Sequence, residues 1–207
     1  MKVRWHFLLG LAAAMTVPAS AQVTKLNVQG PYVQAASGMT FPEAVDDFRR
    51  VSVLQYKPDG SDMSAGYVRR QPNAEIVATA YSFPSPTPPA ADAGQPVDQV
   101  RNNVCRAVAG GIVRDMRAAN PSLKPLQADQ PTLTQNGVAQ NGYHAVYSMT
   151  VPTFMNRQQE AVKDEVYIFC YAGGKWTVEY RFTYPAATDA GASIAQFMND
   201  LKWTFAQ

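Results

Sequence analysis

Histidine and cysteine are nearly missing from this chain of 207 residues, which holds two of each. His6 falls in an N-terminal stretch that reads as an export leader, so His144 alone is left for chemistry in the remainder. A single histidine cannot build the histidine-rich zinc sets, and no H-E-x-x-H occurs. A Ser-His-Asp triad would have to recruit His144, yet no G-x-S-x-G elbow marks a serine. Between Tyr143 and Ala145 on an extended segment, His144 reads first as a structural or surface residue and second as a catalyst. Phosphate-cradling glycine loops are missing too, because Ala172-Gly173-Gly174-Lys175 lacks the helix that must follow such a loop. The adjacent acids Asp46-Asp47 and Asp164-Glu165 sit on extended runs, where neighbours point to opposite faces. They fit solvated edges better than a hydrolase pair. No catalytic residue, cofactor or metal set is expected, and the chain has no internal repeat.

Long apolar runs are also lacking. Phe7 to Val17 is too short to span a bilayer. It follows the charged Lys2 and Arg4 and precedes Ala19-Ser20-Ala21, an A-x-A cleavage pattern. The reading is a signal peptide over residues 1–21 and a periplasmic or secreted protein. No cysteine follows the cleavage point, which argues against a lipid anchor. Removing 21 of 207 residues leaves 186, enough for one domain with a substantial core. The formal charge of +2 comes from 18 basic and 16 acidic residues, and the leader holds the two extra cations. The mature chain is therefore neutral, which disfavours a nucleic-acid binder.

What is present is concentrated in Glu165 to Tyr184, two strands joined at Gly173-Gly174. A two-residue loop sets Tyr171 opposite Trp176, Phe169 opposite Val178 and Tyr167 opposite Tyr180, so one face of the hairpin is almost wholly aromatic. The other face mixes Val166, Ile168 and Cys170 with Thr177, Glu179 and Arg181. The aromatic face suits a core, with a flat-ligand platform as the alternative. Glu179 and Arg181, two apart on the mixed face, are expected to be partly buried and electrostatically coupled.

The rest of the chain punctuates cleanly. Residues 22–40 form a polar lead-in with a possible short strand at Lys25 to Val28, and residues 41–207 form the domain. Phe48 to Tyr56 and Met63 to Arg70 flank a Pro58-Asp59-Gly60 turn, and Glu75 to Phe83 follows. Five prolines between Pro84 and Pro96 exclude regular structure and fit a crossover loop better than a domain linker. Val97 to Asn120 is a helix with Val100, Val104, Val108 and Ile112 at helical spacing, and Cys105 and Met116 beside them. Gly110-Gly111 within it could permit close approach to a sheet. Extended runs at Gln127–Gln135 and Asn141–Val151 meet at Asn136-Gly137, and a loop at Pro152 to Gln159 leads into the aromatic hairpin. A final amphipathic helix carries Ile194, Phe197, Met198 and Leu201 on one face, with Asp189 available as cap.

The fold class is α+β: one domain in the order βββ-α-ββββ-α, a mostly antiparallel sheet in an α/β/α sandwich. FPEAVDDFRR at the first main strand and KWTVEYRFTYP before the closing helix, together with the element order over residues 41–205, resemble the PsbP-like fold. That family includes a photosystem assembly subunit, a nuclear Ran-binding protein and exported bacterial proteins. The resemblance implies a binding or assembly role and carries over no site residue.

Two further expectations concern pairs. An Asp59-Gly60 turn of two residues would place Arg50 opposite Arg69 and Arg49 opposite Arg70. Like charges across strands are unfavourable. Either the strands splay, or Glu43, Asp46 and Asp47 neutralise the cluster, or the four arginines bind an anion or partner. Cys105 on the apolar stripe of the helix and Cys170 on the mixed face can meet if that helix packs there. An exported chain favours such a disulfide over a metal site or catalytic thiol, and two buried free thiols are the alternative. The leading functional reading is a non-catalytic binding or assembly protein that recognises an envelope protein or an anionic envelope component. The alternative is an envelope hydrolase with a site near His144.

Overall fold

A computed structural model describes residues 23–71 and 75–205, with the exception of the Ala91 side chain. The expected leader lies outside the described residues. Short strands β1 (Thr24–Leu26), β2 (Tyr32–Val33), β3 (Thr40–Phe41) and β4 (Ala44–Val45) precede β5 (Phe48–Gln55), β6 (Met63–Arg69) and β7 (Ile76–Pro84). The proline segment then leads to α1 (Val97–Ala119). Next come β8 (Lys124–Asp129), β9 (Thr132–Gln135), β10 (Val138–Asn141), β11 (Tyr143–Phe154), β12 (Arg157–Ala172), β13 (Trp176–Pro185) and α2 (Gly191–Asp200).

Nine of the strands form an antiparallel sheet in the order β1-β5-β6-β7-β13-β12-β11-β8, with β4 also on β5. Each face takes one helix. On one side Ile194, Phe197, Met198 and Leu201 bury against Phe48, Tyr67, Tyr180 and Phe182. Phe197 meets all four of those rings edge-on, with Phe48 at 4.8 Å and Tyr67 at 5.3 Å. The aromatic face is thus a core and not a platform. Burying such a ring stabilises the fold by roughly 1.5–3 kcal/mol. On the other side Val104, Cys105, Ala109 and Met116 of α1 pack on Val166, Ile168 and Cys170. The buried stripe is rotated from the simple valine register, and Val100, Val108 and Ile112 lie only half-buried at its flank. The α/β/α sandwich follows from these two opposed stripes.

Cys105 and Cys170 are joined as a disulfide with 5.6 Å between their Cα atoms, tying α1 to the C-terminal end of β12. Gly110 and Gly111 do not approach the sheet. A Cβ at either would meet only the guanidinium of Arg114, nearly 4 Å away. Asp189 assists α2 from one residue further out than a cap, its carboxylate accepting from the Gly191 N–H while Ala190 holds the cap position.

Three departures from the sequence-based expectation shape the rest of the molecule. The run expected over 127–135 breaks at Gln130-Pro131, and β8 and β9 enter different sheets. Asn136 and Gly137 have φ of 52° and 79°, so they form a tight turn from β9 into β10, not into β11. Gly142 then redirects the chain. A Cβ there would stand 2.6 Å from the Ile168 carbonyl and 2.7 Å from the Phe169 ring, so only glycine fits. The β9–β10 hairpin is left packed beside α2, with Leu133 in that core. Thirdly, the expected loop at 152–159 is strand on both sides of a turn at Met155-Asn156. Pro152 is tolerated because β8 pairs with β11 only as far as Ser148 and the β11–β12 register skips Pro152.

Candidate functional site

The expected arginine cluster is rearranged by register. The β5–β6 connection holds residues 56–62, and a bulge falls between Arg50 and Ser52. Arg50 therefore faces Tyr67, and Arg49 faces Val68. The like-charge opposition is removed by the longer turn and the bulge together, since the turn alone would leave Arg49 opposite Arg69. Arg50 donates to the carbonyls of Phe41 and Gly30. Glu43 is spent on the Gly30 N–H at 2.6 Å. Arg69 donates to Ser193 Oγ and lies 3.5 Å from Asp47, and Arg49 donates to the Asp46 carbonyl. Arg49 and Arg70 alone come together, in a shallow depression of about 270 Å³ that also holds Asp47.

His144 lies between two carboxylates. Nδ1 stands 3.1 Å from Asp129 Oδ1 on the edge strand β8, and Nε2 stands 3.2 Å from Glu165 Oε2 on β12. The ring stacks on Tyr167 at 4.1 Å. The hydroxyls of Tyr167 and Tyr184 both donate to Glu165. Burial alone would lower the imidazole pKa, but the two acids outweigh it and hold His144 above its ordinary value. Burial would likewise raise Glu165, but hydrogen bonds from His144, Tyr184 and Tyr167 keep it low. With both nitrogens engaged by acids, the ring has no free edge for a nucleophile. This geometry suits a strut that clamps β8 to the sheet.

On the opposite face, Glu179 of β13 is only 5% exposed, between Ile168 of β12 and Tyr81 of β7. Burial pushes its carboxyl up to about 7, against the pull of Arg181 and with help from Asp164 and Asp62. The direct ion pair of Arg181 is with Asp164, Nε to Oδ1 at 3.9 Å. The expected coupling of Glu179 to Arg181 is therefore present, with Asp164 as a third member that shares the cation.

A fourth location was not legible in the sequence. The regular β12–β13 register ends after Phe169, and Tyr171 takes φ of 57°, so Ala172 and not Tyr171 faces Trp176. This slip throws Tyr171 off the aromatic face toward α1. Its hydroxyl donates to the Pro86 carbonyl at 2.8 Å and its N–H to Ser85 Oγ at 2.9 Å, which pins the start of the proline segment. Around Tyr171 two adjoining depressions open, of about 420 and 310 Å³, and Arg101, Tyr171 and Gly174 line both.

The larger depression is walled by the β9–β10 hairpin and by the chain after α2. Gln135 donates to the Met198 carbonyl at 2.7 Å, and Asn136 donates to the Trp203 carbonyl at 2.6 Å. These amides hold Trp203 and Phe205 against the hairpin. The Trp203 indole N–H donates to Tyr180 at 2.7 Å, and Phe205 lies parallel to Trp176. The smaller depression is lined by Pro88 of the proline segment and by Val97 and Val100 of α1. Val97 is 72% exposed and Val138, across the groove, 66%. Arg101 is the one cation among the described lining residues. Its Nη1 reaches Asp98 at 2.6 Å, and its Nε is buried with no hydrogen-bond partner among the described residues. No carboxylate, histidine, serine, threonine or cysteine is among those lining residues.

No protein-family model matches this chain, and no curated protein matches it either. The functional reading therefore rests on geometry. Among the described residues no three His, Cys, Asp or Glu side chains are grouped so as to hold a metal ion. No helix among them is long and apolar enough to cross a membrane. The only signals of the groove in the sequence are valines outside the helical and strand patterns, at 97 and 138, and aromatics beyond the last helix.

Proposed function

We propose that this chain is a non-catalytic binding or assembly protein that works outside the cytoplasm, in the periplasm or beyond, and holds an envelope component in the groove around Tyr171. The observation that carries the reading is the groove's composition. It offers rings, exposed valines, amides and one arginine, but no acid, imidazole, small hydroxyl or thiol with which to do chemistry. Pockets built to bind combine an apolar lining with few polar groups of fixed direction. Here the amides of Gln135 and Asn136 are already locked onto the backbone and shape the wall. The Cys105–Cys170 bridge suits an oxidising compartment, in keeping with the leader sequence. The PsbP-like resemblance points the same way, toward binding and not catalysis.

The competing reading, a hydrolase centred on His144, gains no support from the geometry. The carboxylates on both ring nitrogens leave no position for a nucleophile–base pair. The test is comparative affinity capture from envelope extract, using the mature oxidised protein, Val138→Asp and the double variant Arg49→Gln/Arg70→Gln. A component retained by the wild type and the arginine variant but lost from Val138→Asp supports the groove. Equal retention by Val138→Asp contradicts it.

A further inference from the structure

The proposed binding role leaves the ligand class open, and the inference drawn next rests on that role. Charge in the groove is balanced. Arg101, the one cation among the described lining residues, is ion-paired with Asp98 at 2.6 Å, and no carboxylate is among those lining residues. A charged ligand would give up its hydration there with no counter-charge to offset the loss. The groove therefore suits an uncharged molecule.

Its polar groups are held in fixed directions. Gln140 lines the larger depression and is only 8% exposed. Its Nε2 donates to the Cys170 carbonyl at 2.7 Å, which fixes the amide plane. Its Oε1 has no hydrogen-bond partner among the described residues and is not sealed from solvent. Asn136 repeats the arrangement, with Nδ2 on the Trp203 carbonyl at 2.6 Å and Oδ1 left over. Two oriented acceptors on one wall call for a ligand that carries hydrogen-bond donors.

The same depression holds the half-buried rings of Tyr171 and Phe205, and the exposed valines 97 and 138 lie on its two sides. A pyranose meets both demands. Its rim carries hydroxyl donors, and its C–H faces rest on the electron-rich faces of aromatic rings. We infer that the groove binds an uncharged oligosaccharide, its hydroxyls on Gln140 and Asn136 and its ring faces against Tyr171 and Phe205. Tyr171 lines both depressions, of about 420 and 310 Å³, so it stands where two successive sugar rings would meet. Both volumes fall within the range of small-molecule sites.

The test titrates the mature oxidised protein with three uncharged trisaccharides, of glucose, mannose and N-acetylglucosamine, and with two charged ones, of glucosamine and galacturonate. Tryptophan emission is the readout, because Trp203 lines the groove and occupancy alters its surroundings. The expected result is saturable, salt-insensitive binding of at least one uncharged trisaccharide, about tenfold tighter than either charged one. Gln140→Met keeps the length of the side chain but removes the acceptor, and should weaken that binding about tenfold. Phe205→Ala, a change beyond the last helix, should weaken it by a similar factor. No binding of any uncharged trisaccharide overturns the inference. So does equal or tighter binding of a charged one, or undiminished binding by either variant. If no trisaccharide binds while envelope capture still depends on Val138, the ligand class falls and the binding role stands. If capture fails as well, both fall.

Discussion

Replacing Glu179 by glutamine should make this protein more stable, and increasingly so as pH rises. The glutamate is almost wholly enclosed, between Ile168 on β12 and Tyr81 on β7, and its carboxyl is raised from 4.5 to about 7. A raised acid means that the folded protein binds its proton more tightly than the unfolded chain does. Below the ordinary value both states are protonated and the site costs nothing. Between 4.5 and about 7 the unfolded chain is ionised while the folded one is not, so stability falls as pH rises. Above 7 the cost is complete. At about 1.4 kcal/mol per unit, a shift of this size is on the order of 3 kcal/mol. Glutamine reproduces the neutral form at every pH. The gap between Glu179→Gln and wild type should therefore be near zero at pH 4 and about 3 kcal/mol at pH 8. For a domain of this size that is roughly 6–12 °C in melting temperature. Urea denaturation of the oxidised protein across this range measures it. A variant no more stable than wild type at pH 8, or a gap that does not change with pH, would refute the reasoning.

Other outcomes follow from the same contacts. Arg181→Met strips the cation from both Asp164 and Glu179 and should cost about 3 kcal/mol at pH 8, with less lost at pH 5. Adding Glu179→Gln should recover part of that loss, and equal melting of the single and double variants would count against the coupling. His144, held above its ordinary value by Glu165 and Asp129, adds stability that is full below about pH 6.5 and is lost as pH rises through its folded value. Glu165, held low, adds stability that is full above its ordinary value of 4.5 and is lost as pH falls below it. His144→Gln should flatten the alkaline side of this behaviour and release amide exchange in β8, which denaturation and hydrogen-exchange measurements can follow. Reducing Cys105–Cys170, whose bridge closes a separation of 65 residues, should cost about 4 kcal/mol by the chain-entropy argument. Thiol titration of denatured protein exported to the periplasm should find no free thiol.

Fold class was legible because two apolar stripes, one on each helix, matched two faces of one hairpin. Ile194, Phe197 and Leu201 have a single aromatic surface to cover, and Val104 and Cys105 have a single place to meet Val166 and Cys170. What could not be read was register. Asp59-Gly60 looked like a two-residue turn, but the connection spans residues 56–62, and that difference together with the bulge between Arg50 and Ser52 dissolved the arginine cluster. The groove was hidden for a related reason. Alternation assigns Tyr171 to the aromatic face, and only the strained bulge at φ 57° sends it to the other side. The break at Gly142 is equally silent in sequence, because the need for glycine comes from Ile168 and Phe169, more than 25 residues away along the chain. The His144 strut likewise depends on Asp129 being delivered by an edge strand whose pairing sequence alone does not specify.

The central claim is that the working surface is the groove around Tyr171, not the His144 clamp or the Arg49–Arg70 depression. Residue-resolved amide NMR on the mature oxidised protein, with and without the component retained from envelope extract, tests it most directly. The account predicts perturbations gathered at 97–101, 136–140, 171–174 and 203–205. Perturbations gathered at His144 and Glu165, or at Arg49 and Arg70, with the groove unchanged, would contradict it.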